Sequence, residues 1–228
     1  MPQNSDPVFL ITGASTGIGA ATARAATESG YRVVLAARST DKIEALAEEL
    51  DGLAVTCDVT EWEDQQRLVE AALGAYGRID VAFANAGFGG ARGFKTASPE
   101  EWKSMVLTNV YGAALTIRAA YDALVDSGGH LLLTSSVAGR RVLPGSFYSV
   151  TKHAVTAMGE AARQELSEKG VRVTLIEPGV VDTPFFDNKP KIRALDDDDI
   201  ARAVLFAVEQ PAHVAVNELL IRPSAQTS

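Results

Sequence analysis

Short apolar runs alternate with longer amphipathic stretches along the whole chain. Within residues 41–50, for example, apolar side chains recur at 43, 46, 47 and 50, which is the spacing of one helical face. The runs rich in β-branched residues predict strands at 8–12, 32–36, 54–57, 81–84, 130–134, 172–176 and 214–220. The intervening stretches predict helices at 19–29, 41–50, 61–75, 99–125, 148–168 and 197–208. Strands that are apolar on both faces and alternate with helices indicate an α/β fold of the doubly wound Rossmann type, with a seven-stranded parallel sheet and helices on both faces.

Local signals mark the ends of several predicted helices. Thr60 and Ser98 precede acidic first turns and are expected to cap their helices, and the acidic run 196–199 is expected to open the last one. A calcium loop is the rival interpretation of that run, but its alternating oxygen ligands and glycine are missing. No repeat or linker divides the chain, so residues 1–228 are predicted to form a single domain, with residues 1–6 as a flexible tail.

Composition narrows the classes of function. The 228 residues are 46% hydrophobic with a mean hydropathy of +0.05, which is typical of a soluble globular protein. Lys and Arg number 21 against 29 Asp and Glu, a net charge of −8, so no broad basic face is expected for nucleic acid or for a membrane surface. Cys57 is the only cysteine, which excludes an intrachain disulfide. The absence of a signal peptide or of a long apolar run predicts a cytoplasmic protein.

Glycines follow the first predicted strand directly. The segment Thr12-Gly13-Ala14-Ser15-Thr16-Gly17-Ile18-Gly19 lies at a strand–helix junction, where backbone N–H groups can meet a pyrophosphate. A tight turn with close strand–helix packing is the structural alternative.

Tyr148 and Lys152 are four residues apart at the start of a predicted helix, so they share one face. A free tyrosine has a pKa of about 10, and a neighbouring ammonium is expected to lower it toward the useful range. Ser136 lies 12 residues before Tyr148, after the fifth strand. An ordinary surface Tyr–Lys pair is the alternative interpretation, and Ser135 is the alternative reactive serine.

Taken in order, these segments resemble the short-chain dehydrogenase/reductase family. Its Thr-Gly-x-x-x-Gly-Ile-Gly turn matches residues 12–19, its Asn-Ala-Gly matches 85–87, and its Pro-Gly-x-x-x-Thr matches 178–183. The resemblance implies that Tyr148 is the general acid or base, that Lys152 tunes it and binds the nicotinamide ribose, that Ser136 binds the substrate oxygen and that Asn109 holds a water. It also implies that a nicotinamide cofactor contacts Gly13, Ser15, Thr16, Gly17, Ile18, Gly19, Arg38, Ser39, Asp58, Val59, Asn85, Ala86, Gly87, Tyr148, Lys152, Pro178, Gly179, Val181 and Thr183.

The end of the second strand bears on which nicotinamide cofactor is used. A carboxylate at this point is typical of NAD sites, but Ala37 stands there and Arg38 follows. A guanidinium can hold a 2′-phosphate, with Ser39 as a second donor, which predicts NADP(H) as the preferred cofactor. The structural alternative is that Arg38 is a solvated charge or pairs with Asp41. NAD(H) remains possible because Ser15 and Thr16 stand where some NADP-preferring relatives carry a second basic residue.

The substrate is predicted to be a small carbonyl compound or alcohol, bound by loops 88–96, 137–147 and 184–195. Apolar walls are expected from Phe88, Phe94, Leu143, Phe147, Phe185 and Phe186, and positive charge from Arg92, Arg140, Arg141 and Lys191. The C-terminal stretch 213–223 is similar to that of a bacterial branch that includes NADP-dependent 3-hydroxy acid dehydrogenases. Pairing of one of the arginines with a substrate carboxylate follows as a hypothesis.

The family resemblance further implies a homodimer or homotetramer. His130, His153, His213 and Cys57 are predicted to be structural or exposed, and no metal site is expected.

Overall fold

The computed structural model describes residues 6–183 and 192–227. Seven strands form one fully parallel sheet in the order β3-β2-β1-β4-β5-β6-β7. The strands are β1 (Val8–Thr12), β2 (Arg32–Ala37), β3 (Leu53–Thr56), β4 (Val81–Ala84), β5 (His130–Thr134), β6 (Arg172–Pro178) and β7 (Glu218–Ile221). The helices are α1 (Gly17–Glu28), α2 (Thr40–Leu50), α3 (Trp62–Tyr76), α4 (Pro99–Val106), α5 (Ala113–Ser127), α6 (Phe147–Ser167) and α7 (Asp197–Val208). The predicted doubly wound α/β fold is confirmed.

Two apolar cores lie on the two faces of the sheet. Helices α3, α5 and α6 cover one face, where Leu68, Leu124 and Val155 are buried against strand side chains. Helices α1, α2 and α7 cover the other, which buries Ile43 and Val204 among others. Each central strand is apolar on both faces because each face meets a helix layer. No helix in the described part of the chain is long and apolar enough to cross a membrane.

The long helix predicted at 99–125 is interrupted. A π-helical turn, Leu107–Gly112, separates α4 from α5. A Cβ atom at Gly112 would lie 2.7 Å from Cγ2 of Val59, so the close approach of this turn to the end of β3 requires glycine. π-turns widen a helix locally and often mark functional positions. Here the turn carries Asn109 into the interior of the protein.

The predicted helix starts are confirmed at two positions and wrong at one. Ser98 caps α4 by accepting the N–H of Glu101 at 3.1 Å, and Asp196 and Asp199 form a reciprocal capping box at the start of α7. Thr60, in contrast, does not cap α3, which begins one residue later than predicted. Its hydroxyl and backbone N–H both donate to Asp58, at 2.8 Å and 3.0 Å, and Glu61 takes the N-cap position of the helix.

Candidate active site

A cavity of about 1290 Å³ opens at the carboxyl edge of the sheet. It lies beyond the ends of the adjacent strands β1 and β4, where the strand order reverses. This is where ligands bind in open α/β sheets. Predicted cofactor residues that line it are Gly13, Ser15, Thr16, Gly17, Ile18, Arg38, Ser39, Asp58, Val59, Asn85, Ala86, Gly87, Tyr148, Lys152, Pro178, Gly179, Val181 and Thr183. Gly19 lies beneath them and is buried; a side chain there would overlap the carbonyl oxygen of Gly13. Its role is therefore close packing of α1 under the turn.

The glycine turn brings bare backbone to the cavity wall. Gly13 and Gly17 have φ angles of +68° and +54°, in the left-handed region that favours glycine. A Cβ atom at Gly13 would lie 2.8 Å from Cα of Ala86, and one at Gly17 would lie 3.1 Å from Cγ2 of Thr183. Thr16 precedes α1 without a side-chain cap, so the first N–H groups of that helix are left for another acceptor. The turn therefore fits a pyrophosphate.

Asn85 joins the ends of three neighbouring strands. Its backbone N–H donates to Oγ1 of Thr12 at 3.1 Å, and its side-chain amide donates to the carbonyl oxygen of the same residue at 3.2 Å. Thr134 donates from Oγ1 to Oδ1 of Asn85 at 2.9 Å. These bonds hold the backbone of 85–87 against the glycine turn.

Tyr148, Ser136 and Lys152 meet at the opposite end of the cavity. Ser146 caps α6 by accepting the N–H of Ser149 at 3.2 Å, which places Tyr148 in the first turn of the helix. The Tyr148 side chain is hydrogen bonded to that of Ser136. Lys152 is only 3% exposed, and its Nζ donates to the carbonyl oxygen of Thr134 at 2.6 Å. A phenol, a hydroxyl and an ammonium thus converge where a carbonyl oxygen could accept a proton.

Asn109 reaches this group from the π-helical turn. Its Oδ1 accepts the N–H of Phe88 and its Nδ2 donates to the carbonyl oxygen of Phe88, both at 2.9 Å. Nδ2 also donates to Oγ1 of Thr151, at 3.1 Å. Asn109 therefore fixes the start of loop 88–96 relative to α6, the helix that carries Tyr148 and Lys152.

Comparison with known proteins agrees with this geometry. The family model described as short chain dehydrogenase matches residues 7–193. The chain belongs to the short-chain dehydrogenase family. It is 37% identical to dehydrogenase/reductase SDR family member 11 of Gallus gallus, over 97% of each chain. It superposes with a TM-score of 0.92 on an alcohol dehydrogenase from Thermococcus sibiricus complexed with 5-hydroxy-NADP, with 35% identity and coverage of 97% of this chain and 98% of the other. Serine dehydrogenase from Escherichia coli gives a TM-score of 0.88 at 29% identity, over 97% of this chain and 100% of the other.

Membership in the short-chain dehydrogenase family makes the protein an oxidoreductase, and its cofactor a nicotinamide nucleotide. The residues present fit such a group, because glycine backbone lines one end of the cavity and proton-transfer side chains line the other. Between them, Pro178 at the end of β6 and Gly179 after it complete the wall.

Burial sets the protonation of the reactive pair. It raises the pKa of Tyr148 to about 12, and the hydrogen bond with Ser136 opposes this shift only in part. This direction is opposite to the one expected from Lys152, because loss of hydration destabilises the charged phenolate. The same effect lowers the pKa of Lys152 to about 8. At neutral pH the phenol is therefore protonated and able to donate.

Ser135 and Ser136 point to different partners. Ser135 is buried, and its hydroxyl donates to the carbonyl oxygen of Lys152 at 3.1 Å and contacts Oγ1 of Thr156 at 2.7 Å. Ser136 instead donates to the carbonyl oxygen of Pro178 at 3.2 Å and contacts Tyr148. Ser136 is therefore the serine that the fold places beside the reactive tyrosine.

At the far end of the cavity, Arg38 is largely exposed. Its Nη1 lies 4.0 Å from Oδ2 of Asp58, and the described residues show no pair with Asp41. The alternative pairing considered from the sequence is therefore wrong. Ala37 ends β2, one residue beyond the predicted strand, so the strand end offers no carboxylate at that position.

The predicted substrate loops contribute fewer residues than expected. Phe88, Leu143 and Arg92 line the cavity, whereas Phe94 and Phe147 contact Trp102, at ring-centroid distances of 5.8 Å and 5.2 Å. Expecting them as cavity walls was wrong, because both rings pack against the indole of α4, and Phe94 stays largely exposed there. The predictions for Phe185, Phe186 and Lys191 fall outside the described residues.

Two predicted substrate arginines are engaged elsewhere. Arg140 donates from Nε to Oε1 of Glu177 at 2.7 Å and from Nη2 to Glu218 at 2.5 Å. Arg141 donates to the carbonyl oxygen of Thr227 at 3.2 Å. Their proposed pairing with a substrate carboxylate is therefore not supported, and Arg92 is the predicted arginine that lines the cavity among the described residues.

The remaining titratable residues lie away from the chemistry. Cys57 is 1% exposed, and burial raises the pKa of its thiol to about 12, so it is not a nucleophile. His130 is buried at the opposite end of β5, with Nε2 2.7 Å from Oγ1 of Thr174. His153 contacts the carbonyl oxygen of Ser149, and His213 is exposed.

Sequence reasoning missed several residues that hold the site together. Thr134 supplies both the carbonyl acceptor for Lys152 and the hydroxyl for Asn85, and Thr151 links Asn109 to the first turn of α6. Gln65 donates from α3 to the backbone of Val59 and to Oγ1 of Thr116, and these bonds brace the segment after β3 that lines the cavity at Asp58 and Val59. Thr151 stands next to Lys152 in the sequence, a signal that could have found it. Gln65 carries no local signal.

Proposed function

We propose that this protein is an NADP(H)-dependent reductase of carbonyl compounds, interconverting a ketone or aldehyde with the corresponding alcohol. The observation that carries the proposal is the contact of Tyr148 with Ser136 on a cavity wall that Lys152 also lines. Three functions converge there: a proton donor, a donor for the substrate oxygen and a fixed positive charge.

The residues of this chain divide the chemistry as follows. When bound, the reduced nicotinamide supplies a hydride to the carbonyl carbon. Tyr148 donates its phenolic proton to the carbonyl oxygen, and the product is the neutral alcohol. Ser136 donates a hydrogen bond to that oxygen as negative charge develops on it. Lys152 stabilises the resulting phenolate with its ammonium, held in place by Thr134, until the proton is replaced. Because the phenol is protonated at neutral pH, Tyr148 is ready to act as the proton donor of the reduction.

Preference for NADP(H) over NAD(H) is part of the proposal. Arg38 presents an exposed guanidinium at the rim of the cavity, beside Ser39, and Ala37 before it stands where an NAD site would place a carboxylate. A 2′-phosphate would compete with Asp58 for this guanidinium and would win, because it brings up to two negative charges at short range. NAD(H) is expected to bind more weakly.

A narrower candidate is a 3-hydroxy acid dehydrogenase. Arg92 supports it, because its guanidinium lines the cavity and pairs with no carboxylate within the described residues. A substrate carboxylate could pair with it while the hydroxyl meets Ser136. Turnover of 3-hydroxy acids, lost in Arg92→Ala while neutral alcohols still react, would support this assignment. Turnover of neutral substrates alone would exclude it.

We further propose a cytoplasmic homodimer or homotetramer. The buried thiol of Cys57 is compatible with a reducing compartment. Tyr111 and Val150 are about half exposed on the π-helical turn and on α6, in the region where the family resemblance implies subunit packing. Light scattering after size-exclusion chromatography tests this; a monomer at micromolar concentration would contradict it.

The deciding experiment combines binding with turnover. NADPH and NADH are titrated into the wild type, Tyr148→Phe and the control Tyr76→Phe, and NADPH oxidation is then followed with a panel of ketones and aldehydes. We expect NADPH to bind all three proteins, with turnover reduced at least about 100-fold only in Tyr148→Phe. If the nucleotide binds but no panel member reacts in any of the three proteins, the alternative of a nucleotide-binding regulatory protein without turnover is favoured.

A further inference from the structure

The last described residues of the chain, a C-terminal tail of residues 222–227, fold back over the turn that follows β6. The carbonyl oxygen of Ile221, at the end of β7, accepts the N–H of Gly179 at 2.7 Å. One residue further along the turn, the N–H of Val180 donates to Oε1 of Gln226 at 3.0 Å. The tail itself is turned by a bond from the N–H of Gln226 to the carbonyl oxygen of Pro223, at 2.9 Å. Two successive backbone donors of the turn thus depend on the end of the chain.

Gly179 makes this approach possible. A Cβ atom at that position would lie 3.1 Å from Cγ of Arg222 and 3.1 Å from Cδ of Pro223, and it would overlap Oε1 of Gln226. The tail therefore packs directly on the backbone of the turn, in space that any larger residue would occupy. Pro223 is buried in this contact.

The tail also reaches the loop on the other side of the reactive group. Arg141, in the loop that follows Ser136, donates from Nη1 to the carbonyl oxygen of Thr227 at 3.2 Å. Ala225, Gln226 and Thr227 line the same cavity as Tyr148. The tail consequently bridges the loop after β5 and the turn after β6.

We propose that Gln226 is a positioning residue for the reaction: by accepting the Val180 N–H, it fixes the turn 178–181, whose Pro178 carbonyl oxygen accepts from Ser136 and beside which the nicotinamide end of the cofactor would lie. This inference rests on the proposed function. Gln226 touches the turn rather than the reacting atoms, so it acts through backbone geometry. A displacement of about 1 Å at a reacting centre is enough to lower a rate by as much as 100-fold.

The test compares Gln226→Ala with Gln226→Glu, which keeps a side-chain oxygen at the same reach, and with Gln210→Ala as a matched control. Gln210 lies in the same part of the chain, but its side chain donates to the carbonyl oxygen of Phe206 in α7, away from the turn 178–181. In Gln226→Ala we expect kcat to fall about 10-fold, with the Kd for NADPH changed less than about threefold, because the glycine turn and Arg38 hold the rest of the nucleotide. Gln226→Glu should recover most of the rate, and Gln210→Ala should match the wild type.

A second readout does not need turnover. The emission of bound NADPH reports the surroundings of its nicotinamide, so it should change in Gln226→Ala and return toward wild type in Gln226→Glu. Thermal unfolding of the variants, measured in parallel, separates positioning from stability. Three results overturn the inference: a kcat within about twofold of wild type, no rescue by glutamate, or joint loss of kcat, NADPH binding and thermal stability.

Failure of the proposed function gives results that differ from those that overturn the role of Gln226. If the wild type reduces no carbonyl compound, that function is wrong, and the emission of bound NADPH alone decides on Gln226. A change in Gln226→Ala that glutamate reverses would then support its positioning role, and unchanged emission would overturn it.

Discussion

The Nζ atom of Lys152 lies 5.6 Å from the centre of the Tyr148 ring, and both side chains lose hydration in the same wall of the cavity. Burial shifts the two pKa values in opposite directions: the pKa of the phenol rises to about 12, whereas that of the ammonium falls to about 8. Over the physiological range the tyrosine therefore stays protonated, and the charge of the lysine is what varies with pH.

This difference predicts the pH profile of carbonyl reduction. Below pH 8 Lys152 is charged and kcat/KM should be level; above it the charge is lost, and kcat/KM should fall about tenfold per pH unit. Rates at saturating NADPH between pH 6 and pH 10 measure this. Lys152→Met should be slow throughout and should lose the inflection, whereas the surface variant Lys169→Met should keep it. If the pH profile of Lys152→Met keeps the same inflection, the titration belongs to a group other than Lys152.

Replacing Arg38 should change cofactor choice. In Arg38→Asp the carboxylate repels a 2′-phosphate and can accept from a ribose hydroxyl, so the ratio of kcat/KM for NADPH to that for NADH should fall at least about 100-fold. Arg202→Asp, on the surface of α7, should leave the ratio unchanged. The same ratio in both variants would refute the role of Arg38.

The Arg140–Glu177 pair should matter for stability. Glu177 is 1% exposed, and its carboxylate would be left buried without its guanidinium partner in Arg140→Leu. We expect this change to lower the free energy of unfolding at pH 7 by about 3 kcal/mol. Burial already raises the pKa of Glu177, so near pH 5 its protonation should narrow the deficit. Arg163→Leu, which breaks an exposed pair on α6, should cost under about 1 kcal/mol in urea titrations. Equal losses of unfolding free energy in Arg140→Leu and Arg163→Leu would contradict a larger contribution from the buried pair.

His130 predicts sensitivity to acid. Burial lowers the pKa of its ring to about 3, from 6.5 in the unfolded chain, so only the unfolded state takes up a proton as the pH falls between these values. Each pH unit in that window should lower the free energy of unfolding by about 1.4 kcal/mol. Urea titrations at pH 7 and pH 5 should show a smaller difference for His130→Gln than for the wild type, and the exposed variant His213→Gln should behave as wild type. An equal pH dependence of the free energy of unfolding in all three proteins would exclude His130 as the source of the acid sensitivity.

Local features of the sequence were enough to predict the fold and the two ends of the cavity. Hydrophobic periodicity is set by near neighbours, so the strands at 8–12, 81–84 and 130–134 and the helix at 197–208 have the predicted bounds. The glycine turn and the Tyr148–Lys152 spacing are equally local. Because parallel strands end at one edge of the sheet, the segments at 12–19, 85–87 and 136–152 could be expected together there.

Contacts between distant segments depended on the tertiary structure. Arg140 meets Glu177 across 37 positions, and Gln226 meets Val180 across 46, because strand order and register bring the ends of β5, β6 and β7 together. The apolar spacing of 99–125 did not predict the π-helical turn that directs Asn109 inward. The sequence by itself thus determined which residues are available for chemistry. Packing decided which of them are free to act, because a hydrogen bond or an ion pair forms with whatever partner the fold brings within reach.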